Sequence, residues 1–276
     1  PSYDIFDGRD PRLKQTFIYP GFTRPGDTEP SRQKISLGGY AQIKYSPRTS
    51  DQIGWNNSYT DLPVIRYAEV LLMYAEAKAE LGTLTQADVD NTINQLRDRV
   101  GMPHASLSDW LSTVDPVQER HYPNVTGAQK GAILEVRRER RVELACEGFR
   151  YDDLMRWACG KQLAMTPEGM YIGTFNKFGG TVNYIDVTGD GKPDYALVKT
   201  EADKAKIPEA DKTAYKLSIE VLEGNTFGLT EGDHGYVYMK SQKDKWNFVE
   251  PKCYYYPIST KDQVLNPNLT QVTYWK

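Results

Sequence analysis

The chain has 276 residues, of which 39% are hydrophobic and 12% aromatic, and its formal net charge is −3. This composition supports a packed core in one large domain or two small ones, and the charge argues against a nucleic-acid-binding protein. No run of 18 apolar residues occurs, which excludes a transmembrane helix. The 19 tyrosines, against 8 phenylalanines, suit a carbohydrate surface and equally any large, wet interface.

Residues 1–60 contain Pro, Gly, Ser, Asn or Asp in nearly every window, which predicts loops with short strands. The runs QTFIYP and GYAQIKY are the only strand-like ones in this region. A helix is then predicted from Leu62 to Leu81, with Asp61 as its N-cap and Gly82 after its end. Its apolar residues cover most of the helix circumference, which indicates neighbours on several sides.

A second helix is predicted to begin at a capping box formed by Thr85 and Asp88 and to end at Gly101. Two antiparallel helices with a short connection are the unit of tetratricopeptide-like repeats. A solenoid needs several such pairs, so we expect the chain to be a fragment of a longer array. The start of the sequence, which has neither an initiator Met nor a signal-peptide pattern, favours the same interpretation.

Two further helices complete the predicted helical part. The third begins at a capping box formed by Thr126 and Gln129 and ends at Gly148, and the fourth covers residues 150–159. The third helix carries a run of arginines, which can indicate a nucleic-acid surface. Acidic residues alternate with these arginines, so the helix carries little net charge and the nucleic-acid interpretation is disfavoured.

Arg140 lies within the apolar face of the third helix. It shares that face with Ile133, Val136 and Leu144. A permanently charged guanidinium in such a place needs a carboxylate or a set of carbonyl groups nearby. Glu143 and Glu147 are the local candidates. The pattern therefore predicts a half-buried helix that is held by ion pairs.

Residues 165–250 form a predicted loop- and strand-rich excursion. The expected short strands are YIGTF, VNYIDV, DYALV, LSIEVL and GYVYMK, and the segment ADKAKIPEADKTAYK is expected at the surface. The tail is predicted to contain a short helix that begins at Ser259 or Thr260. The predicted fold class is therefore mainly α, with tetratricopeptide-like α-α hairpins and a large irregular region bearing short β-strands.

The motif DVTGDGKPD places oxygen-bearing groups at alternating positions of a tight turn, as Ca²⁺ sites require. The predicted metal ligands are Asp186, Thr188, Asp190, the carbonyl group of Lys192, and Asp194. The motif resembles the calcium loop of FG-GAP-type repeats and the first nine positions of an EF-hand loop. It departs from the EF-hand at Leu197, where a bidentate Glu is usual. A structural calcium ion is predicted, and a plain Asp/Gly hairpin turn is the alternative.

Aromatic residues in loops are the candidates for ligand binding, because flat rings stack on sugar faces and amides hydrogen-bond to hydroxyl groups. The selected residues are Trp55, Asn56, Tyr59, Tyr171 and Tyr184. The alternative is that these rings pack beneath loops.

No nucleophile-elbow, zinc-protease, P-loop or dinucleotide motif occurs, and the three histidines are scattered, so no catalytic residue is predicted. Cys146, Cys159 and Cys253 have no metal-ligand spacing. They are expected to be free, buried thiols, although a pair between Cys146 and Cys159 is left open.

Three long motifs, in this order and spacing, resemble the SusD/RagB family. They are YAEVLLMYAEAKAELG, ILEVRRERRVELACEGFRYDDLMRW and YYYPISTKDQVLNPNLTQ. The sequence DPRL at residues 10–13 fits the entry into the same region. The resemblance is to the later part of SusD-like proteins, so a single SusD/RagB-type domain is expected over residues 1–276. The strand-rich excursion lies within it, and the earlier part of the family is expected to be absent.

This resemblance implies a lipid-anchored, non-enzymatic protein on the extracellular face of the Bacteroidetes outer membrane. Such proteins capture a glycan or a peptide and deliver it to a SusC-like TonB-dependent transporter. The lipid anchor is expected to lie outside this sequence and is inferred only for the intact protein. An oligosaccharide is the expected ligand. A tetratricopeptide-like scaffold that binds peptides or protein partners is the alternative, and a carbohydrate-active hydrolase is a third hypothesis.

Overall fold

Helical and strand-bearing stretches alternate along the chain in a computed structural model that describes residues 4–276. Over these residues the α-helices are α1 (Arg12–Thr16), α2 (Tyr67–Glu80), α3 (Gln86–Asn91), α4 (Ile93–Asp98), α5 (Leu107–Ser112), α6 (Pro116–His121), α7 (Lys130–Glu143), α8 (Arg150–Arg156), α9 (Glu209–Tyr215) and α10 (Thr260–Leu265). The β-strands are β1 (Glu168–Ile172), β2 (Val182–Ile185), β3 (Tyr195–Val198), β4 (Ser218–Val221), β5 (Phe227–Leu229) and β6 (Gly235–Met239). Two compact units result: a strand-bearing unit of residues 4–66, 99–102 and 167–243, and a helical unit of residues 67–98, 103–166 and 244–276.

The helical unit is built around α2 and α7, which are 14 residues long and pack against each other. Three alanines of α2, Ala68, Ala75 and Ala79, are buried, and such small side chains let a neighbouring helix approach closely. The α7 helix also packs against α4, α5 and α6. Its predicted apolar face is confirmed, because Ile133, Val136, Arg140 and Leu144 are all buried.

Two helix starts differ from the prediction. The α2 helix begins at Tyr67 rather than at Leu62, and Leu62, Val64 and Ile65 are exposed. Pro63 lacks a backbone N–H and disfavours the helical conformation of the residue before it, and exposed side chains gain no packing that would offset this. The predicted capping box at Thr126 is also wrong.

The reason that no helix begins after Thr126 is the next residue: Gly127 adopts a left-handed conformation with φ of 84°, which is not the conformation of an α-helix. The N-cap of α7 is therefore Gln129, without a side-chain cap. The helix ends at Glu143, before the predicted Gly148, and α8 ends at Arg156 rather than at residue 159.

The capping box of Thr85 and Asp88 is confirmed: each side chain accepts the backbone N–H of the other residue. The helix that follows is divided into α3 and α4 at Thr92, whose φ and ψ are −127° and −83°. The hydroxyl group of Thr92 donates to the carbonyl group of Asp88 at 2.6 Å, and such side-chain bonds compete with the helical backbone pattern. The predicted helix of the tail is confirmed as α10, with Ser259 as its N-cap.

The strand-bearing unit contains two three-stranded sheets, in the orders β1-β6-β5 and β2-β3-β4. All pairs are antiparallel except β3 with β4. Its core includes Ile172, Leu197, Phe227 and Val237. The five predicted strands are found, with shifted ends. The strand β5 was not predicted, and QTFIYP and GYAQIKY provide only one isolated bridge, between residues 17 and 42.

Arg140 is the centre of a buried ionic network in the helical unit. Its Nε atom lies 2.9 Å from both carboxylate oxygens of Asp153, and 3.9 Å from Glu76. Burial alone would raise the pKa of Glu76, but the hydrogen bonds from Arg156 and Trp157 outweigh burial and hold this pKa below its ordinary value. The need for a carboxylate near Arg140 is confirmed. The partner, however, is on α8 and not among the local candidates Glu143 and Glu147, because helix packing brings α8 against this face.

None of the three cysteines forms a disulfide bond in the described part of the chain. Cys159 is buried and Cys253 is half-buried, as befits thiols inside a folded chain. Cys146 is exposed, so the expectation that it is buried is wrong. It lies just after α7, at a left-handed backbone position with φ of 64°, where the chain turns toward α8.

Candidate functional site

Trp55, Asn56 and Tyr59 lie together in one loop of the strand-bearing unit. Trp55 is 92% exposed and Tyr59 is 67% exposed, so both rings face solvent. The Tyr59 hydroxyl group donates to Asp51 at 2.7 Å, which fixes the polar end of the ring. Hydrogen bonds from Thr49 and Tyr59 lower the pKa of Asp51, so it stays a charged acceptor. This loop offers open ring faces for a ligand.

Tyr171 and Tyr184 lie on strands rather than in loops. The ring of Tyr171 contacts that of Tyr236, with ring centres 5.3 Å apart and planes at 75°. Tyr184 is half-buried, packs against Phe178, and donates its hydroxyl group to Asp211 at 2.8 Å. Burial, and then this hydrogen bond, raises the pKa of Tyr184. Tyr171 therefore presents an accessible ring, whereas Tyr184 is largely engaged within the fold.

The predicted calcium loop connects β2 with β3. Asp186 accepts hydrogen bonds from the backbone N–H groups of Thr188, Gly189 and Gly191, at 2.6–3.1 Å. Asp190 accepts the backbone N–H of Lys192 at 2.8 Å. These are the contacts of a hydrogen-bonded Asp/Gly turn.

Asp194 is the most engaged carboxylate of this loop. Its Oδ2 atom accepts from the backbone N–H groups of Val187 and Thr188 and from the Thr188 hydroxyl group, each at 2.9 Å. Its Oδ1 atom lies 3.0 Å from Nε of Arg32. Within residues 4–276 no group of three or more His, Cys, Asp or Glu side chains is placed to hold a metal ion. A calcium ion at this loop would have to compete with Arg32 for Asp194.

Calcium binding stays a prediction, and thermal melting tests it. If the loop holds calcium, millimolar Ca²⁺ raises the melting temperature of the chain and a chelator reverses the rise, because binding to the folded state alone stabilises it. Asp190→Asn keeps the hydrogen-bonding capacity of this side chain but loses its charge, and should abolish the response. An unchanged melting temperature of the unsubstituted chain, with and without Ca²⁺, would show that the loop is only a hydrogen-bonded turn.

An open hollow of about 770 Å³ in the helical unit was not predicted from the sequence. Arg137 borders it, and its guanidinium lies 4.6 Å from the ring centre of Trp157 and 5.2 Å from that of Tyr122. Its Nη2 atom donates to Glu80 at 3.0 Å. Among the described residues, the buried Nε and Nη1 atoms of Arg137 have no hydrogen-bond partner. Two ion pairs line the hollow, Arg137 with Glu80 and Arg156 with Glu76. Its lining is therefore polar, with as many positive as negative charges in these pairs.

The model of the SusD family matches residues 1–275. The chain belongs to the SusD family. A curated relative, SusD-like protein P38 from Formosa agariphila, is 29% identical over 140 residues, which are 50% of this chain and 23% of that protein. A solved SusD-like protein from Bacteroides fragilis NCTC 9343 superposes with a TM-score of 0.54 and 19% identity, covering 98% of this chain and 39% of that one. The chain thus spans less than half the length of either protein.

The family match confirms the resemblance seen in the three sequence motifs, and the solved SusD-like structure confirms the predicted fold class. The identity with the solved structure is low, so that likeness establishes the fold alone. In the part of this SusD-family chain that the structure describes, every helix is too short or too polar to cross a membrane.

Sequence reasoning missed Tyr236 and Tyr238 as candidate site residues. The signal was present in the run GYVYMK, where tyrosines alternate with the buried Val237. Such alternation predicts that the two tyrosines share the outer face of a strand. Their pairing with Tyr171 depends on the register between β1 and β6, which the sequence does not display.

Proposed function

We propose that this chain is part of a non-catalytic protein that captures a glycan outside the cell and delivers it to a SusC-like TonB-dependent transporter. The observation that carries this proposal is the match of the SusD family over residues 1–275. Solvent-facing rings at Trp55, Tyr59 and Tyr171 support it, because such rings can stack on sugars. The intact protein would be held at the extracellular face of the outer membrane by a lipid anchor.

A second candidate is a scaffold that binds peptides or protein partners. One face of α2 favours it, since Tyr67, Val70, Met73 and Tyr74 are large apolar residues exposed within the helical unit. An exposed apolar stripe of this kind is typical of a surface that packs against an amphipathic helix.

Affinity electrophoresis of the chain in gels that contain a soluble polysaccharide tests the first candidate. The probes are amylopectin, laminarin, arabinoxylan and galactomannan, with bovine serum albumin as the non-binding reference. Retardation in at least one gel, without release of reducing sugar in solution, is expected. Migration like the reference in every gel would refute glycan capture by this chain, and release of sugar would point to a hydrolase. Binding of an amphipathic peptide alone would favour the scaffold.

A further inference from the structure

The outer face of the β1-β6-β5 sheet is formed by Tyr171, Tyr236 and Tyr238, which together are called the tyrosine face below. Residues alternate between the two sides of each strand. Ile172 on β1 and Val237 on β6 are buried on the inner side, whereas Tyr171 is 48% exposed and Tyr236 is 47% exposed. The tyrosine face is therefore the solvent side of a sheet whose other side belongs to the core.

Register places two of these rings side by side. Tyr171 and Tyr236 are directly opposite each other on antiparallel strands. Their ring centres are 5.3 Å apart and their planes meet at 75°, which is the edge-to-face geometry that aromatic pairs prefer. Each ring holds the other in place, so the exposed ring surface is ordered before any ligand arrives.

The ring of Tyr238, on β6, extends the tyrosine face over the neighbouring strand β5. A Cβ atom placed on Gly228 of β5 would lie 2.8 Å from both Cζ and the hydroxyl oxygen of Tyr238. The ring therefore lies across the backbone at Gly228, where any side chain would push it away. The Nζ atom of Lys243 is 5.4 Å from the centre of this ring. Flat aromatic surface thus continues from β1 across β6 to β5.

A close backbone contact orients Tyr171. The register of β1 shifts between Glu168 and Tyr171, and the backbone N–H of Met170 donates to the carbonyl group of Gly38 at 2.8 Å. A Cβ atom on Gly169 would lie 2.4 Å from that same carbonyl oxygen, so only glycine fits. Irregularities of this kind redirect side chains on a strand. The ring of Tyr171 is thereby held on the outer side by a fixed strand.

The chemistry of the face suits a neutral, hydroxyl-rich ligand. Phenol rings offer an apolar surface to the C–H face of a sugar, and their hydroxyl groups can both donate and accept hydrogen bonds. The nearby Tyr40 is half-buried, and burial followed by proximity to Tyr236 raises the pKa of its phenol. Glu168 lies directly opposite Tyr238 in the strand register, and Nζ of Lys243 lies 5.4 Å from the centre of the Tyr238 ring. These two charges have opposite signs, so together they favour neither an anionic nor a cationic ligand.

We propose that the tyrosine face is the glycan-binding surface of this chain, where the rings of Tyr171 and Tyr236 stack on sugar rings of a neutral oligosaccharide. This inference rests on the proposed function and deepens it. The hydroxyl groups of Tyr236 and Tyr238 bond to sugar hydroxyl groups along the same line of strands. The loop of Trp55 and Tyr59 is then a separate aromatic surface that this ligand does not require.

The test compares four variants of the full chain, one of them Trp55→Ala, in the polysaccharide gels and, with the best oligosaccharide, by calorimetry. The double substitution Tyr171→Ala and Tyr236→Ala should weaken binding about tenfold or more, because two stacking rings are lost. Tyr236→Phe keeps the ring and should retain most of the affinity. Tyr256→Ala removes a ring that is 79% exposed elsewhere and should leave binding unchanged.

A second measurement uses the unsubstituted chain, so its result does not depend on whether the double variant folds. Bound oligosaccharide should protect Tyr171 and Tyr236 from nitration by tetranitromethane, as read by mass spectrometry, and should leave Tyr256 reactive. Full affinity in a folded double variant, or loss of binding only in Trp55→Ala, would overturn the assignment while leaving glycan capture intact. A gel with alginate, an anionic polysaccharide, is run beside the neutral ones. Retention by alginate alone would overturn the neutral ligand, and absence of all glycan binding would overturn the proposed function with it.

Discussion

Replacing Arg140 with alanine is expected to lower the free energy of unfolding by about 3–5 kcal/mol, because it removes one partner of a buried ion pair and leaves the partly exposed Arg156 to neutralise both Asp153 and Glu76. Both oxygens of Asp153 lie 2.9 Å from Nε of Arg140, and the two side chains are almost fully buried. Glu76 lies 3.9 Å from the same nitrogen, so both carboxylates lose a positive charge and are left with the hydrogen bonds from Arg156 and, for Glu76, from Trp157. Urea unfolding monitored by circular dichroism measures the loss.

Arg138→Ala is the matched control, since this arginine lies on the same helix. Its side chain is 35% exposed, and it pairs with Asp115 at 2.5 Å and with the buried Glu135 at 3.1 Å. Because its guanidinium is partly in water, where exposed pairs contribute about 0–1 kcal/mol, a change well below that of Arg140→Ala is expected. The double substitution Arg140→Met and Asp153→Leu should recover much of the lost stability, because no charge is then left unpaired. Equal effects of Arg140→Ala and Arg138→Ala would contradict a buried ionic centre.

Gly131→Ala is expected to destabilise the protein by about 1–3 kcal/mol through overpacking. A Cβ atom at this position would lie 1.7 Å from the carbonyl oxygen of Trp110 and 2.8 Å from its carbonyl carbon. These are backbone atoms of α5, so they cannot move aside as the end of a flexible side chain would. Alanine is favoured over glycine within a helix by about 1 kcal/mol, so destabilisation would run against helix propensity.

The control for this substitution is Gly173→Ala, where a Cβ atom would meet nothing within 4 Å. Its effect should stay within about 0.5 kcal/mol, as for an ordinary surface change. Thermal and urea unfolding of both variants would show the contrast. A neutral or stabilising effect of Gly131→Ala would mean that α5 and α7 are free to separate at this contact.

Local signals in the sequence predicted where the long helices α2 and α7 lie, but not the residues at which they begin. The apolar face of α7 follows from residue spacing, and the capping box at Thr85 follows from short-range chemistry. The pairing of Arg140 with Asp153 did not follow, because the partners are 13 residues apart and meet only when α8 folds against α7. The division of the second helix at Thr92 was also not predicted, since a threonine inside a helical pattern gives no boundary signal.

The candidate site was predicted only in part, for a related reason. Composition and loop character pointed to Trp55 and Tyr59, and both are exposed. The pairing of Tyr171 with Tyr236 depends on strands that are far apart in sequence, and on a register that is set by a backbone irregularity. Tyr184 was selected from the sequence but is largely engaged within the fold, because its hydroxyl group donates to Asp211. No spacing rule in the sequence indicates this contact.

The buried charges of α7 also bear on how such a protein can diverge. Arg137, Glu139 and Arg140 each have an ionic partner on a different helix, namely Glu80 on α2, Arg97 on α4 and Asp153 on α8. A single substitution at any of them breaks an ion pair between two helices, so we expect each such change to lower stability. The tyrosine face has no such constraint, because Trp or Phe at positions 171 and 236 would still be flat. The proposed glycan-binding surface can therefore change one residue at a time without breaking an ion pair between helices.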